Sequence, residues 1–118
     1  MSPGSFKKAL KGKDEVEITV TGRRSGRSIT NPVWFVREGD KLYLLPGLGS
    51  DSDWYRNVLK TPTVRLSVEG SEESATAKPI TDPAEVRDVV DKFGAKYGAG
   101  QIQQYYTKLD VAVEIPLR

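Results

Sequence analysis

Seven consecutive residues, Thr21-Gly22-Arg23-Arg24-Ser25-Gly26-Arg27, concentrate three guanidinium groups, a serine hydroxyl and two glycines. Guanidinium forks match the paired oxygens of phosphate and carboxylate, and glycine lets backbone N–H groups approach an anion closely. Arg23, Arg24 and Arg27, with the Ser25 hydroxyl and the N–H groups of Ser25 and Gly26, therefore form a candidate phosphate cradle. The competing reading is a solvated hairpin tip whose arginines serve only solubility, for the stretch is neither a Walker loop nor a dinucleotide fingerprint.

A second group of candidates is Trp54-Tyr55-Arg56-Asn57. On a helix, Trp54 and Asn57 share a face and Tyr55 lies about a quarter-turn away. A tryptophan beside a carboxamide suits a planar heterocycle with hydrogen-bonding edges. A core tryptophan with Asn57 capping a loop is the alternative. Gly47 and Ser50, in the polar Gly47-Leu48-Gly49-Ser50 loop just before, are placed to close over a ligand. Tyr97, Tyr105 and Tyr106 offer phenols to a substrate pocket, or simply pack on the protein surface.

What is missing narrows the chemistry further. The 118 residues contain no histidine and no cysteine. That removes the commonest zinc and iron ligands, a cysteine nucleophile and every triad with a histidine base. The carboxylates Asp51, Asp53 and Asp110 are scattered, so no catalytic acid–base pair and no metal site is expected. An enzyme of this composition leaves the hard step to a cofactor, which the protein binds and orients. A net charge of +2 is too small for general nucleic-acid binding, although the positive charge gathers before residue 30. No apolar run nears the roughly 20 residues of a membrane span. The N-terminal lysines lack the apolar stretch of a secretion signal, and the expected location is the cytoplasm.

The elements that must position these residues follow from periodicity. Glu15–Thr21 alternates, with Val16, Ile18 and Val20 on one face, as a half-buried strand does. Ser28–Arg37 is rich in β-branched and aromatic residues, and Pro32 marks an edge or bulge there. Lys41–Leu45, Val64–Glu69, Ser74–Ile80 and Asp110–Leu117 complete six strands, with the acidic Gly70–Glu73 as a turn. Ser50, Asp51 or Ser52 is the N-cap of a short helix through Leu59. Asp82-Pro83-Ala84-Glu85 starts a longer helix, and a second short one spans Gln101–Lys108. The expected product is mainly β with flanking helices (α+β): one antiparallel barrel domain over residues 1–118, with residues 1–13 a basic, loosely ordered segment.

Read in order, Thr21-Gly22-Arg23-Arg24-Ser25-Gly26, Asn31-Pro32-Val33-Trp34-Phe35-Val36-Arg37-Glu38-Gly39-Asp40, Trp54-Tyr55-Arg56-Asn57-Val58-Leu59 and Thr61-Pro62 resemble the deazaflavin-dependent nitroreductase family. The resemblance covers residues 16 to 70 and the terminal strand. It implies a six-stranded split β-barrel of the FMN-binding, pyridoxamine-phosphate-oxidase-like kind, in which subunits often pair as homodimers. It implies coenzyme F-420, a deazaflavin with a phosphate and an oligoglutamate tail, as cofactor, with FMN the alternative in relatives. The reaction implied is hydride delivery to a small electron-poor acceptor: a quinone, an activated alkene or a nitro compound. The alternatives are an FMN-binding oxidoreductase and a barrel that binds a cofactor or ligand without catalysis.

By the same resemblance Arg23, Arg24, Ser25 and Gly26 contact phosphate, with Arg27 beside them. Pro32, Val33 and Trp34 belong to the strand beside the deazaflavin ring, and Trp54, Tyr55 and Asn57 to the helix that closes the site. Family members commonly carry a further arginine where this chain has Ile29, and a lysine in the loop that here runs 46–53 without one.

Overall fold

The computed structural model describes residues 3–117. Helix α1 (Pro3–Leu10) leads into strand β1 (Glu15–Thr21), which pairs antiparallel with β2 (Ser28–Trp34) across the arginine-rich loop. Then come β3 (Val36–Glu38), β4 (Lys41–Leu44), helix α2 (Asp53–Lys60), β5 (Thr63–Val68), β6 (Ser71–Thr76) and β7 (Lys78–Ile80). Helices α3 (Pro83–Tyr97) and α4 (Ala99–Tyr105) precede the last strand, β8 (Ala112–Pro116).

The strands make two four-stranded antiparallel sheets, ordered β2-β1-β5-β6 and β3-β4-β8-β7, rather than the six-stranded barrel expected. Two of the six expected strands break and pass from one sheet to the other. Ser28–Arg37 breaks at Phe35, and the later strand breaks at Ala77. Such corners take a residue's N–H and C=O out of the ladder, and those groups then need partners elsewhere. At Phe35 the N–H donates to the Tyr97 hydroxyl (3.1 Å), and the carbonyl accepts from that hydroxyl (2.5 Å) and from Lys96 Nζ (2.8 Å). At Ala77 the N–H donates to the Pro62 carbonyl at 2.8 Å. Pro32 lies within an edge strand, where its missing N–H leaves the outer side of the ladder undisturbed.

Two further differences are local. The turn expected over Gly70–Glu73 is narrower, because β6 already starts at Ser71 and pairs it with Val68. The segment expected to be loosely ordered is helical from Pro3 to Leu10 and buries Phe6 and Leu10 in the main core. Their i, i+4 spacing puts both side chains on one face of that helix.

The main core lies between the sheets and α1. Val16, Ile18 and Val20 of β1 meet Val64 and Leu66 of β5 and Leu42, Leu44, Val113 and Ile115 of the second sheet. A smaller cluster joins Val86, Val89 and Phe93 of α3 to Val36, Ile80 and Ala112. The start of α3 is the expected one. Asp82 caps it by accepting from the Glu85 N–H at 3.1 Å, with Pro83 in the first turn.

Candidate functional site

Strand β2 is the edge of its sheet, and its inward face is left open. Val33, Asn31 and Ile29 lie directly opposite Val16, Ile18 and Val20 of β1, so both trios point to the same side. The β1 residues are fully buried. Their β2 counterparts are not: Val33 and Asn31 are half-buried and Ile29 is 40% exposed. An apolar strip thus runs along the mouth of the core. Val33 and Trp54 both border the main cluster without being enclosed by it.

The arginine-rich loop stands at one end of this strip, and its three arginines are not equivalent. Arg23 is half-buried and committed to α2. Its backbone N–H and Nη1 both donate to Asn57 Oδ1, at 3.0 and 2.9 Å, and Nη2 meets the Asp53 carboxylate at 3.3 Å. Lys60 Nζ donates to the Arg23 carbonyl at 2.8 Å, which brings another cation beneath the tip. Arg24 and Arg27 are exposed and make no ion pair among the described residues.

The loop backbone is also partly spent. The Gly26 N–H donates to the Gly22 carbonyl at 2.9 Å, so it is not the free anion donor expected. Gly26 instead supplies a φ of +72°, which side chains rarely adopt. The Arg27 N–H donates to Ser25 Oγ at 3.2 Å, leaving the hydroxyl proton of Ser25 available. What the loop presents outward is therefore Arg24, Arg27 and the Ser25 hydroxyl.

On α2, Tyr55 turns into the main core and Asn57 is 3% exposed, while Trp54 stays at the margin. Tyr55 is thus a core residue instead of a wall of the site, and burial raises its phenol pKa above the ordinary value. Ser52, one of the three residues expected to cap α2, is its N-cap residue. Its Oγ accepts from the Leu48 N–H at 2.8 Å rather than from the helix.

Gly47 and Ser50 are tied to the segment before β8. The Gly47 carbonyl accepts from the Thr107 N–H at 3.0 Å. Asp110 accepts from the Ser50 N–H (2.9 Å) and hydroxyl (2.5 Å). The loop is therefore pinned, and Gly49, with φ +56°, has no room for a side chain beside Asp110 and Lys108.

The tyrosines gather on the opposite side of β2, around Trp34. Tyr97 stacks on the indole at 4.5 Å and 11°, with Tyr105 and Tyr106 edge-on at 5.4 and 6.2 Å. The Tyr97 hydroxyl is spent on Phe35 and on the Asp14 carbonyl (2.7 Å), so it is not free for a substrate. Burial pushes the Tyr106 phenol up to about 12. Of the three, Tyr105 is the one exposed to solvent. Trp34 and Trp54 consequently belong to different apolar clusters and do not flank one groove. Pro32, two residues before Trp34 in β2, is exposed.

Sequence reasoning missed two participants. Lys60 carries the i, i+3 spacing from Asn57 that places both on the loop-facing side of α2. Asn31 is visible as a residue paired with Ile18 only once the hairpin register is known.

Solved structures share this architecture across several cofactor classes. An F420-H2 dependent reductase superposes with a TM-score of 0.68 at 22% identity, over 87% of this chain and 94% of that one. A pyridoxamine 5'-phosphate oxidase-type protein from Listeria innocua gives 0.71 at 14%, covering 98% and 93%. The heme storage protein HutZ from Vibrio cholerae gives 0.73 at 15%, covering 98% and 89%. The chain thus shares the mixed β fold of these proteins. Within it, residues 2–116 match the F420H(2)-dependent quinone reductase family, and the chain belongs to that family. Membership in this family makes it an oxidoreductase. No helix among the described residues is long and apolar enough to cross a membrane.

Proposed function

We propose that the open face of β2 and the arginine-rich tip together hold reduced coenzyme F-420 for reduction of a quinone. The residues present fit that cofactor. Arg24 and Arg27 have no carboxylate partner among the described residues, and an unpaired guanidinium at an exposed loop tip suits a phosphate. Ile29, Asn31 and Val33 offer an apolar strip with one amide for a flat ring, and the α2 side contributes Trp54. When bound, reduced F-420 supplies a hydride to the electron-poor acceptor, for which an activated alkene or a nitro compound would also serve.

The chain's own part is to bind, orient and exclude water. Asn57 fixes the loop by taking both Arg23 donors, so Arg24 and Arg27 emerge from a braced base. Tyr97 and Lys96 fix the far end of β2 by holding the Phe35 corner. No side chain needs to act as acid or base, in keeping with a chain that has no histidine. The observation that carries the reading is the exposed inner face of β2 ending at two uncompensated arginines.

A second reading, FMN as the cofactor, is favoured by the commitment of Arg23 to Asp53 and Asn57, because two free arginines suit one phosphate as well as a longer anionic tail. Titration with F-420 and with FMN separates the two. Mixing the protein with reduced F-420 and menadione, while following deazaflavin absorbance, then tests turnover. F-420 binding with rapid oxidation is expected. Tighter FMN binding would transfer the site to a flavin, and F-420 binding without oxidation of any acceptor would make the protein a carrier.

A further inference from the structure

A second basic cluster lies at the other end of the β1–β2 hairpin, and of its members Lys96 alone enters the reading above, as a brace of the Phe35 corner. Lys11, Lys13, Arg37 and Lys96 line a cleft of about 350 Å³ beside the Phe35 corner, with Asp14 as the carboxylate in the lining. The volume is within the usual range for small-molecule sites. Leu10, Phe35 and Val36 contribute the cleft's apolar surface.

Three of the four cations, Lys11, Arg37 and Lys96, make no ion pair among the described residues. Lys13 pairs with Glu69. Arg37 donates to the carbonyls of Gly39 (3.0 Å) and Lys7 (3.1 Å) and makes no ion pair among the described residues. Lys96 likewise donates to the carbonyls of Lys13 (3.1 Å) and Phe35 (2.8 Å), with its ammonium 4.0 Å from the centre of the Phe35 ring. Lys11 is exposed and makes no ion pair among the described residues. Carbonyls and a ring face orient a cation without neutralising it. Burial lowers the Lys96 pKa, and the Asp14 carboxylate opposes that shift.

We propose that this cleft is a second anion site, distinct from the hairpin tip, and that it takes an organic anion with an apolar body, such as an aromatic carboxylate. The cations supply the field that concentrates the anion, and the apolar surface supplies the contact that a bare inorganic ion would leave unused. Separation from the first site follows from the strand. Glu15 to Thr21 spans six residue steps, about 20 Å at the usual rise, which is well beyond a Debye length at physiological salt.

The test is calorimetric titration of the whole protein with 2-naphthoate, its uncharged amide 2-naphthamide and inorganic phosphate, with amide chemical shifts to locate binding. Naphthoate is expected to bind at least about tenfold more tightly than the amide or phosphate, shifting residues 11–14 and 35–37. Lys11→Glu, at an exposed unpaired position, is expected to weaken it about fivefold or more, while Arg24→Ala/Arg27→Ala leaves it unchanged. Equal binding of naphthoate and naphthamide would overturn the anion site, as would no binding at millimolar concentration. So would loss of binding in the Arg24/Arg27 variant but not in Lys11→Glu. Because F-420 binding is measured separately, failure here leaves the cofactor reading standing, and the reverse also holds.

Discussion

Asn57 Oδ1 accepts two hydrogen bonds from a single residue, the backbone N–H of Arg23 at 3.0 Å and its guanidinium at 2.9 Å. This buried carboxamide makes Arg23 a brace and leaves its neighbours Arg24 and Arg27 to solvent. Adjacent residues of the same type thereby acquire different physical roles.

That division gives the first expectation. Arg24→Ala/Arg27→Ala should weaken F-420 binding at least about tenfold, with a melting temperature within a degree or two of the parent, because neither side chain is paired in the protein. Cofactor affinity by fluorescence titration, with thermal melts alongside, checks it. An unchanged affinity would remove the tip from the cofactor site.

Arg23→Ala and Asn57→Ala should behave in the opposite sense. Each deletes one side of a buried contact, and Asn57→Ala also strips the Arg23 N–H of its acceptor, at a cost of about 1–3 kcal/mol. Denaturant unfolding is the measurement. Stability equal to the parent in both variants would contradict the bracing role.

Alkaline pH should destabilise the protein in a residue-specific way. Burial holds the phenols of Tyr97 and Tyr106 above their ordinary value of 10.0, Tyr106 up to about 12. The native phenols keep protons that the unfolded chain loses, so stability is full below about pH 10 and falls as pH rises through the native values. Melting temperature followed from pH 8 upward should show the fall, and Tyr97→Phe/Tyr106→Phe should flatten it. An equally steep fall in that variant would assign the effect to other groups.

Gly49→Ala should disrupt the 46–52 loop. The added Cβ would press on Asp110 Oδ1 and sit 2.7 Å from the Lys108 carbonyl oxygen, at a φ of +56° that disfavours any side chain. Hydrogen exchange should rise at residues 49–52 and 108–110 while β1 and β5 keep their protection. An exchange pattern matching the parent would show that the loop absorbs the change.

Features set by neighbours in the chain were legible before the structure. The Asp82-Pro83-Ala84-Glu85 helix start and the alternation of β1 are local, and both appear as expected. The strand corners were not, because their causes are remote. Phe35 bends where Tyr97 and Lys96, more than 60 residues later, satisfy its backbone. Pro32, expected to mark an edge or a bulge, lies in an edge strand, which tolerates its missing donor.

The site divides along the same line. Its basic loop and aromatic helix could be read from composition. Which arginine is free depends on Asn57, 34 residues away, and so lay beyond any local pattern. The family resemblance is shown over residues 2–116, whereas the three tyrosines assigned to a substrate pocket surround Trp34 on the other face of β2.

Held at its loop end by Asn57 and at its corner by Tyr97, β2 works as a ruler. Ser28 to Trp34 is six residue steps, or about 20 Å at the usual strand rise. A molecule whose anion is gripped at the tip can touch Val33 only if it is itself long and extended. If the tip holds the anion as proposed, a compact phosphate ester would reach the arginines and leave most of the strip bare, and the length of the strand would favour elongated ligands before any side chain discriminates among them.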